Sequence, residues 1–190
     1  MRKLIAFTIV SVDGYFAGPN GEIDWFKGEH SDEEKEFSDE VSKKAGLLLF
    51  GRTTYEMMKS FWPTPDGMRS DPVMAEVMNR TPKIVFSETM KPEKDGPVWK
   101  DVRVLHDIDP EEIVSLKKHG EGGITILGSG TIVQQMERLG LIDEYQLMVV
   151  PVILGTGKYL FKDVKRLNLE LIGTKVFRNG RVLLTYRPKA

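Results

Sequence analysis

The residues of this chain that are best suited to bind a ligand form a glycine turn between an apolar run and a segment with helical periodicity. The run 124–127 is followed by Gly128, Ser129, Gly130 and Thr131. Glycine lets a ligand approach the backbone closely, and the free N–H groups that open a helix attract anions. The turn therefore predicts a binding site for a diphosphate. A tight strand-to-helix turn that needs glycine for steric reasons is the alternative interpretation.

Two further turns place glycine or hydroxyl residues directly after an apolar run. They are Gly51, Arg52, Thr53 and Thr54 after the run 47–50, and Ser87, Glu88 and Thr89 after the run 83–86. In open parallel sheets, ligands bind beyond the carboxyl ends of the strands. A nucleotide cofactor could therefore contact all three turns, although Arg52 could also be an ordinary surface arginine near a helix start.

Two acidic residues in the glycine-rich loop 11–25 are the candidates for donating a proton. Asp13 could instead brace a turn, and Asp24 could cap one. Trp25 either packs as a lid or contacts a substrate. The three histidines are scattered without metal-ligand spacing and the chain has no cysteine, so no metal site is predicted.

The elements that must position these residues alternate along the chain. Strands are predicted over residues 4–10, 47–50, 83–87, 98–105, 124–127, 145–153, 167–172 and 176–186, the last bent into a hairpin at 179–180. Helices are predicted over about 32–45, 51–62, 71–81, 109–119 and 131–139, with a loop from 63 to 70. Pro151 would mark an edge or a bulge. This alternation predicts an α/β sandwich with a mostly parallel sheet and an antiparallel C-terminal hairpin.

Composition limits the classes of function. The 190 residues, 41% hydrophobic and 29% charged, suit one globular domain over residues 1–190. A net charge of −1 without a basic block argues against nucleic-acid or membrane-surface partners and favours small molecules. The absence of cysteine excludes thiol catalysis and is compatible with a cytoplasmic location, which we predict. No apolar run approaches the roughly 20 residues of a membrane span, and the N-terminal run 4–10 is interpreted as a strand.

The turns, in this order and spacing, resemble the dihydrofolate reductase superfamily, and most closely the branch of the riboflavin-biosynthesis reductase domain. The resemblance covers nearly the whole chain. It depends on residues 11–14, 51–56, 83–87, 128–131, 141–145 and 151–158, and their combination is more specific than any single motif. It implies a three-layer sandwich with a mostly parallel central sheet, NADPH along the strand ends, and a small heterocycle facing the nicotinamide.

The resemblance also assigns binding residues. Leu127 with Gly128, Ser129, Gly130 and Thr131 resembles the diphosphate loop, and Gly51, Arg52, Thr53 and Thr54 resemble a second phosphate-binding helix start. Arg52 would contact the adenosine 2′-phosphate, with Ser87 donating a hydroxyl. Ala17 and Gly18 fall in the loop that closes over nicotinamide, and Trp25 resembles its aromatic end. Glu88 departs from the pattern, since a carboxylate repels a 2′-phosphate, so NADPH is preferred but NADH stays open.

The function that follows is an NADPH-dependent reductase of a small heterocycle, similar in type to the pyrimidine reductase of riboflavin biosynthesis. A nucleotide-binding or sensor protein without turnover on the same fold is the alternative, and a purely structural dimer module is a third. The first long helix carries no carboxylate in the apolar setting that folate reduction needs, and the chain lacks a zinc deaminase half. The strand from Tyr145 and the terminal hairpin are predicted to form a homodimer interface, as in two-fold related members of the superfamily.

Overall fold

The computed structural model describes residues 1–26, 31–91, 99, 101–127 and 130–189. The strands in these ranges are β1 (Leu4–Ser11), β2 (Tyr15–Ala17), β3 (Ala45–Gly51), β4 (Lys83–Phe86), β5 (Val102–Leu105), β6 (Gly123–Leu127), β7 (Glu144–Val150), β8 (Lys158–Tyr159), β9 (Leu169–Val176) and β10 (Val182–Pro188). The helices are α1 (Asp32–Ser42), α2 (Arg52–Phe61), α3 (Pro65–Ser70), α4 (Pro72–Arg80), α5 (Pro110–Lys118) and α6 (Gly130–Arg138).

One eight-stranded sheet has the order β5-β4-β3-β6-β1-β7-β10-β9, and β2 pairs separately with β8. Neighbours from β5 to β7 are parallel, whereas β10 runs antiparallel to both β7 and β9. This arrangement confirms the mostly parallel sheet with an antiparallel C-terminal hairpin. It also confirms that the continuously apolar β1 is a central strand.

Helices cover both faces of the sheet and give the fold its three layers. On one face, Ile113 of α5 and Ile132, Val133 and Met136 of α6 pack on the sheet. On the other face, Tyr55 of α2 and Met78 of α4 pack against β3 and β4. The strands read as nearly continuous apolar runs because both faces of the sheet are buried.

Local sequence signals start several helices as expected. The Ser31 hydroxyl accepts a hydrogen bond from Glu34 N, and Asp71 Oδ1 accepts one from Met74 N, at 3.2 and 2.8 Å. Pro72 follows Asp71 at the first position of α4, where the missing N–H of proline is harmless.

Two predictions about local structure are wrong. Residues 65–70 form helix α3 and not a loop, because the Thr64 hydroxyl accepts a hydrogen bond from Gly67 N and Pro65 occupies the first helical turn. Pro151 lies neither on an edge strand nor in a bulge. It ends β7, which is paired on both sides, because proline has no N–H for either ladder.

Candidate functional site

The carboxyl ends of β3, β4, β5 and β6 surround a cavity of about 680 Å³. Its described wall contains residues from most of the elements around it. They are Phe7, Thr8 and Ile9 from β1, Phe16 and Ala17 from β2, Gly21, Ile23 and Phe26 from the segment after β2, Gly51 to Thr54 with Met57 and Met58, residues 86–89, 106–108, Leu127, Gly130, Thr131, Ile132, Gln135 and Lys158. The described residues of all three turns identified in the sequence therefore meet at one cavity. The volume is within the range of small-molecule sites.

The wall formed by α2 presents a helix N-terminus and a cation. Gly51 precedes α2 in an extended conformation and has no side chain to cap it. Arg52 Nε donates to Glu56 Oε1 at 2.7 Å, and Arg52 Nη1 donates to the Thr89 hydroxyl at 3.0 Å. Because the guanidinium is tethered between α2 and the end of β4, it is held at the cavity while remaining about half exposed.

The ends of β4 and β5 form a more polar part of the wall. Ser87 N donates to Leu105 O at 2.9 Å, and the Ser87 hydroxyl accepts a hydrogen bond from Met90 N at 3.1 Å. His106 Nδ1 lies 3.0 Å from Ser87 O, within hydrogen-bond distance of a carbonyl that can only accept. Glu88 and Asp107 supply the carboxylates of the described wall. His106 and Asp107 were not predicted as site residues from the sequence, although both directly follow β5, as Ser87 and Glu88 follow β4.

Gly130, the first residue of α6, is buried against the ring of Phe16. A Cβ on Gly130 would lie within about 2.4 Å of that ring. Packing alone therefore requires glycine here, as the steric interpretation of the turn expects, and the same packing places the start of α6 at the cavity beside Leu127 and Thr131. Gly128 and Ser129 lie outside the described residues.

The short ribbon of β2 and β8 covers one side of the cavity. Phe16 and Ala17 from β2 and Lys158 from β8 line it. The rings of Tyr15 and Tyr159 stack at 4.2 Å, and a hydrogen bond with Tyr159 raises the pKa of Tyr15 to about 12. Gly18 is buried next to Ala17 but is not part of the described cavity wall.

Asp13 connects the loop after β1 to the backbone of residues 154–155, and it does not line the described cavity wall. Its Oδ1 accepts hydrogen bonds from the Ser11 hydroxyl at 2.7 Å and from Leu154 N at 3.1 Å, and its Oδ2 accepts one from Gly155 N at 2.8 Å. The hydrogen bond from Ser11 and those from the backbone lower the pKa of Asp13. This geometry favours the bracing role over proton donation.

Asp24 and Trp25 lie in a short 3-10 turn at the rim of the cavity. Asp24 is exposed, and Trp25 Nε1 donates to Glu22 O at 3.2 Å. Neither residue lines the cavity, whereas their neighbours Ile23 and Phe26 do. The structure therefore favours a packing role for Trp25 and does not place Asp24 in the described cavity wall.

A buried ion pair supports the turn that carries Phe26. Arg181 Nη1 lies 2.6 Å from Glu34 Oε1, and Arg181 Nη2 donates to Phe26 O at 2.7 Å. Asn179 Nδ2 donates to Glu34 Oε2 at 2.6 Å. Glu34, the buried acid of the first long helix, is thus committed to the β9–β10 hairpin and does not line the cavity.

The described ranges contain no group of three or more His, Cys, Asp or Glu residues that could hold a metal ion. No helix in the part of the chain that the structure describes is long and apolar enough to cross a membrane.

The family model of the RibD C-terminal domain matches residues 2–183. This chain belongs to the RibD C-terminal domain family. Among relatives of this domain, the uncharacterized protein YyaP of Bacillus subtilis is 30% identical over 186 residues, which span 97% of this chain and 94% of that protein. The resemblance identified in the sequence is therefore confirmed.

Solved structures agree with this membership in the RibD C-terminal domain family. A protein of Shewanella sp. PV-4, provisionally assigned to riboflavin biosynthesis, is 25% identical, with a TM-score of 0.77 and 99% of each chain covered. The dihydrofolate reductase of Enterococcus faecalis, solved with NADP(H), is 20% identical, with a TM-score of 0.62 over 99% of this chain and 97% of that one. The second match concerns the fold alone, which is the α/β sandwich of dihydrofolate reductases.

Proposed function

We propose that this protein is an NADPH-dependent reductase that transfers hydride to a small heterocyclic substrate. The observation that carries the proposal is the convergence of three strand-end turns, with one arginine and the starts of two helices, on a single cavity of about 680 Å³. A dinucleotide needs separate sites for phosphate and for its rings, and this cavity has both a polar and an apolar wall. Membership in a family with a reductase-type fold supports the same conclusion.

The polar wall suits the phosphate-bearing end of the cofactor. The uncapped start of α2 offers backbone N–H groups to an anion, and Arg52 is tethered beside it. The guanidinium is suited to the adenosine 2′-phosphate, while Glu88 on the same wall weakens that preference by repulsion. We therefore expect NADPH to bind more tightly than NADH.

The apolar wall suits the reacting rings. Phe7, Ile9, Phe16 and Phe26 would exclude water from a ring pair between β1 and the ribbon. Bound NADPH supplies the hydride, so the work of the chain is to hold donor and acceptor together in a dry site. Asp13 stays ionised in its hydrogen bonds and contributes to this work by fixing the loop that carries Phe16.

Fluorescence titration of the Trp residues with NADPH and, separately, NADH tests the cofactor. Arg52→Ala should weaken NADPH binding by about 10- to 100-fold, the usual value of a charge-assisted hydrogen bond, and NADH binding much less. Arg69→Ala is the matched control, because Arg69 is exposed and pairs with Asp66 outside the cavity wall. If the unmodified protein binds neither nucleotide, the proposal is wrong.

A nucleotide-binding protein without turnover is the second candidate. One observation favours it: the carboxylates of the described wall, Glu88 and Asp107, belong to the segments that follow β4 and β5, whereas the apolar wall comes from β1, β2 and the turn that carries Phe26. Steady-state oxidation of NADPH with a panel of pterins, pyrimidines and quinones separates the two candidates. Tight NADPH binding without oxidation by any of these acceptors would favour the second.

A further inference from the structure

Thr8 is a buried polar residue in the middle of the central strand. It is 1% exposed, and its hydroxyl has no hydrogen-bond partner in the described part of the chain. Most buried hydroxyl groups in proteins are hydrogen-bonded, because an unmade bond costs the full desolvation of the group. An exception on the central strand therefore needs an explanation.

The position of Thr8 in the fold supplies one. The described pairing of β1 with β6 runs to Phe7 and Leu127, and the pairing of β1 with β7 continues to Ser11 and Val150. Thr8 is the next residue of β1 after Phe7. It lines the cavity, together with Gly130 of α6.

Other unpartnered polar atoms do not share this position. Buried oxygens of Asp39 and Glu137 also lack a hydrogen-bond partner in the described ranges, but neither residue belongs to the described cavity wall. Thr8 combines near-complete burial, an unsatisfied hydroxyl and a place in the wall. A hydroxyl in such a setting forms its hydrogen bond when a ligand brings the partner.

The rest of the wall indicates which end of a dinucleotide that partner belongs to. Arg52 and the start of α2 suit a phosphate-bearing adenosine, and the same cavity wall includes β1, which leaves β1 for the opposite end of the same cofactor. There the wall is apolar, with Phe7, Ile9 and Phe16, and a polar contact counts for more in such surroundings. A carboxamide offers a carbonyl oxygen and an NH₂ group side by side, and a hydroxyl can bond either of them.

We propose that the Thr8 hydroxyl recognises the carboxamide of bound nicotinamide, a role that rests on the proposed function. Thr8 is then a specificity residue that contacts the nicotinamide end of the cofactor, whereas Arg52 contacts the adenosine phosphate end. The hydroxyl is left unpartnered in the free protein and becomes satisfied in the complex.

Replacing the hydroxyl with a methyl group of similar size tests this role. Thr8→Val should leave the melting temperature of the free protein unchanged or raise it, because no partner group is left behind. It should weaken NADPH binding by about 5- to 10-fold, the value of one neutral hydrogen bond. Binding of 2′,5′-ADP, which has the adenosine phosphates but no nicotinamide, should stay unchanged.

Two controls make the result specific. Thr125→Val is the matched substitution on the neighbouring strand β6, outside the described cavity wall, and should change neither affinity. Thr8→Ser keeps the hydroxyl and should therefore retain most of the NADPH affinity of the unmodified protein. A lower melting temperature with unchanged NADPH affinity would assign the hydroxyl a structural role and overturn the inference.

The remaining outcomes also test whether Thr8 recognises the nicotinamide. Equal weakening of NADPH and 2′,5′-ADP would mean that Thr8→Val disturbs the whole cleft, which contradicts recognition of the ring end. Unchanged NADPH affinity in Thr8→Val, with normal binding by the unmodified protein, would refute this inference and leave the proposed function intact. Absence of nucleotide binding by the unmodified protein would refute both.

Discussion

Gly130 affects both the packing of the site and its capacity to bind a ligand. The position must lack a side chain because the ring of Phe16 occupies the space that a Cβ would fill. Phe16 is itself a wall residue, so the same contact fixes the start of α6 and one side of the cavity. Any side chain at 130 would therefore disturb both stability and binding.

Gly130→Ala should lower the free energy of unfolding by about 1–3 kcal/mol, the usual cost of overpacking, and should weaken NADPH binding. Urea denaturation measures the first effect. Gly173→Ala is the control, because its Cβ would meet Thr185 at an ordinary 3.6 Å, and it should cost less. If the ring of Phe16 causes the loss, Gly130→Ala should cost less in a Phe16→Ala background, and equal costs in both backgrounds would contradict this explanation.

The sequence reveals some residues of the site and hides others. Glycine, arginine and serine directly after an apolar run are visible signals, and Gly51, Arg52 and Ser87 all line the cavity. Thr8 gives no such signal, since threonine is an ordinary strand residue and its missing partner exists only in three dimensions. Assigning a role to Asp13 likewise required its partners Leu154 and Gly155, which are more than 140 residues away.

Among the elements, α1 and the β9–β10 hairpin depend on one buried ion pair. Glu34 and Arg181 are both at least nine-tenths buried, and Arg181 also holds the Phe26 carbonyl at the edge of the cavity. Burying two charges costs desolvation free energy. Their mutual attraction offsets that cost only when both charges are present. The pair therefore fixes geometry more than it adds stability.

Arg181→Met should lower the free energy of unfolding by about 3–5 kcal/mol, because it leaves the carboxylate of Glu34 buried with its cation removed. Denaturant titration measures the loss. Adding Glu34→Gln should recover a large part of it. Arg187→Met is the control, since Arg187 pairs with Glu170 on the exposed surface and should cost about 1 kcal/mol or less. A similar loss for both arginine substitutions would contradict the assignment.

The elements that were not predicted from the sequence are short. The ribbon of β2 and β8 has strands of three and two residues, too few for an alternating pattern to be recognised. Helix α3 has six residues, and its proline and glycine resemble those of a loop. Longer elements were recognisable: β1 by its nearly continuous apolar run over residues 4–10, and α2 by the glycine turn that opens it.

For the molecule as a whole, the free edge of the sheet is the surface most suited to a second copy of the chain. β9 lies at that edge, and Leu171, Ile172 and Val176 on it are 53%, 41% and 66% exposed. An exposed apolar edge strand tends to pair with another chain. We therefore expect a homodimer formed through the C-terminal hairpin.

Light scattering at micromolar concentration should give about twice the monomer mass of 21.6 kDa. Val176→Glu should shift the protein toward monomer, because it places a charge in the apolar edge. Val114→Glu, an equivalent change at an exposed valine of α5, should leave the dimer intact. A monomer for the unmodified protein would rule out the interface.

The class of fold follows from the alternation of strands and helices, but the order of strands does not. Alternation alone does not say that β6 inserts between β3 and β1, because strand pairing depends on contacts far apart in the sequence. The resemblance predicted a mostly parallel central sheet, and the order of its strands comes from the structure. The cavity at the candidate site is a consequence of this order, which brings the ends of β3, β4 and β6 together.

The central place of β1 also affects synthesis of the chain. Leu4 pairs with Ile124 and Ile5 with Glu144, so the first strand to leave the ribosome must wait for partners made much later. At the usual ~5–20 residues per second, an apolar segment stays unpaired for roughly 6–30 s, during which it is open to aggregation or chaperone binding. Because β1 also lines the cavity, ligand can stabilise the completed chain but cannot assist the nascent one.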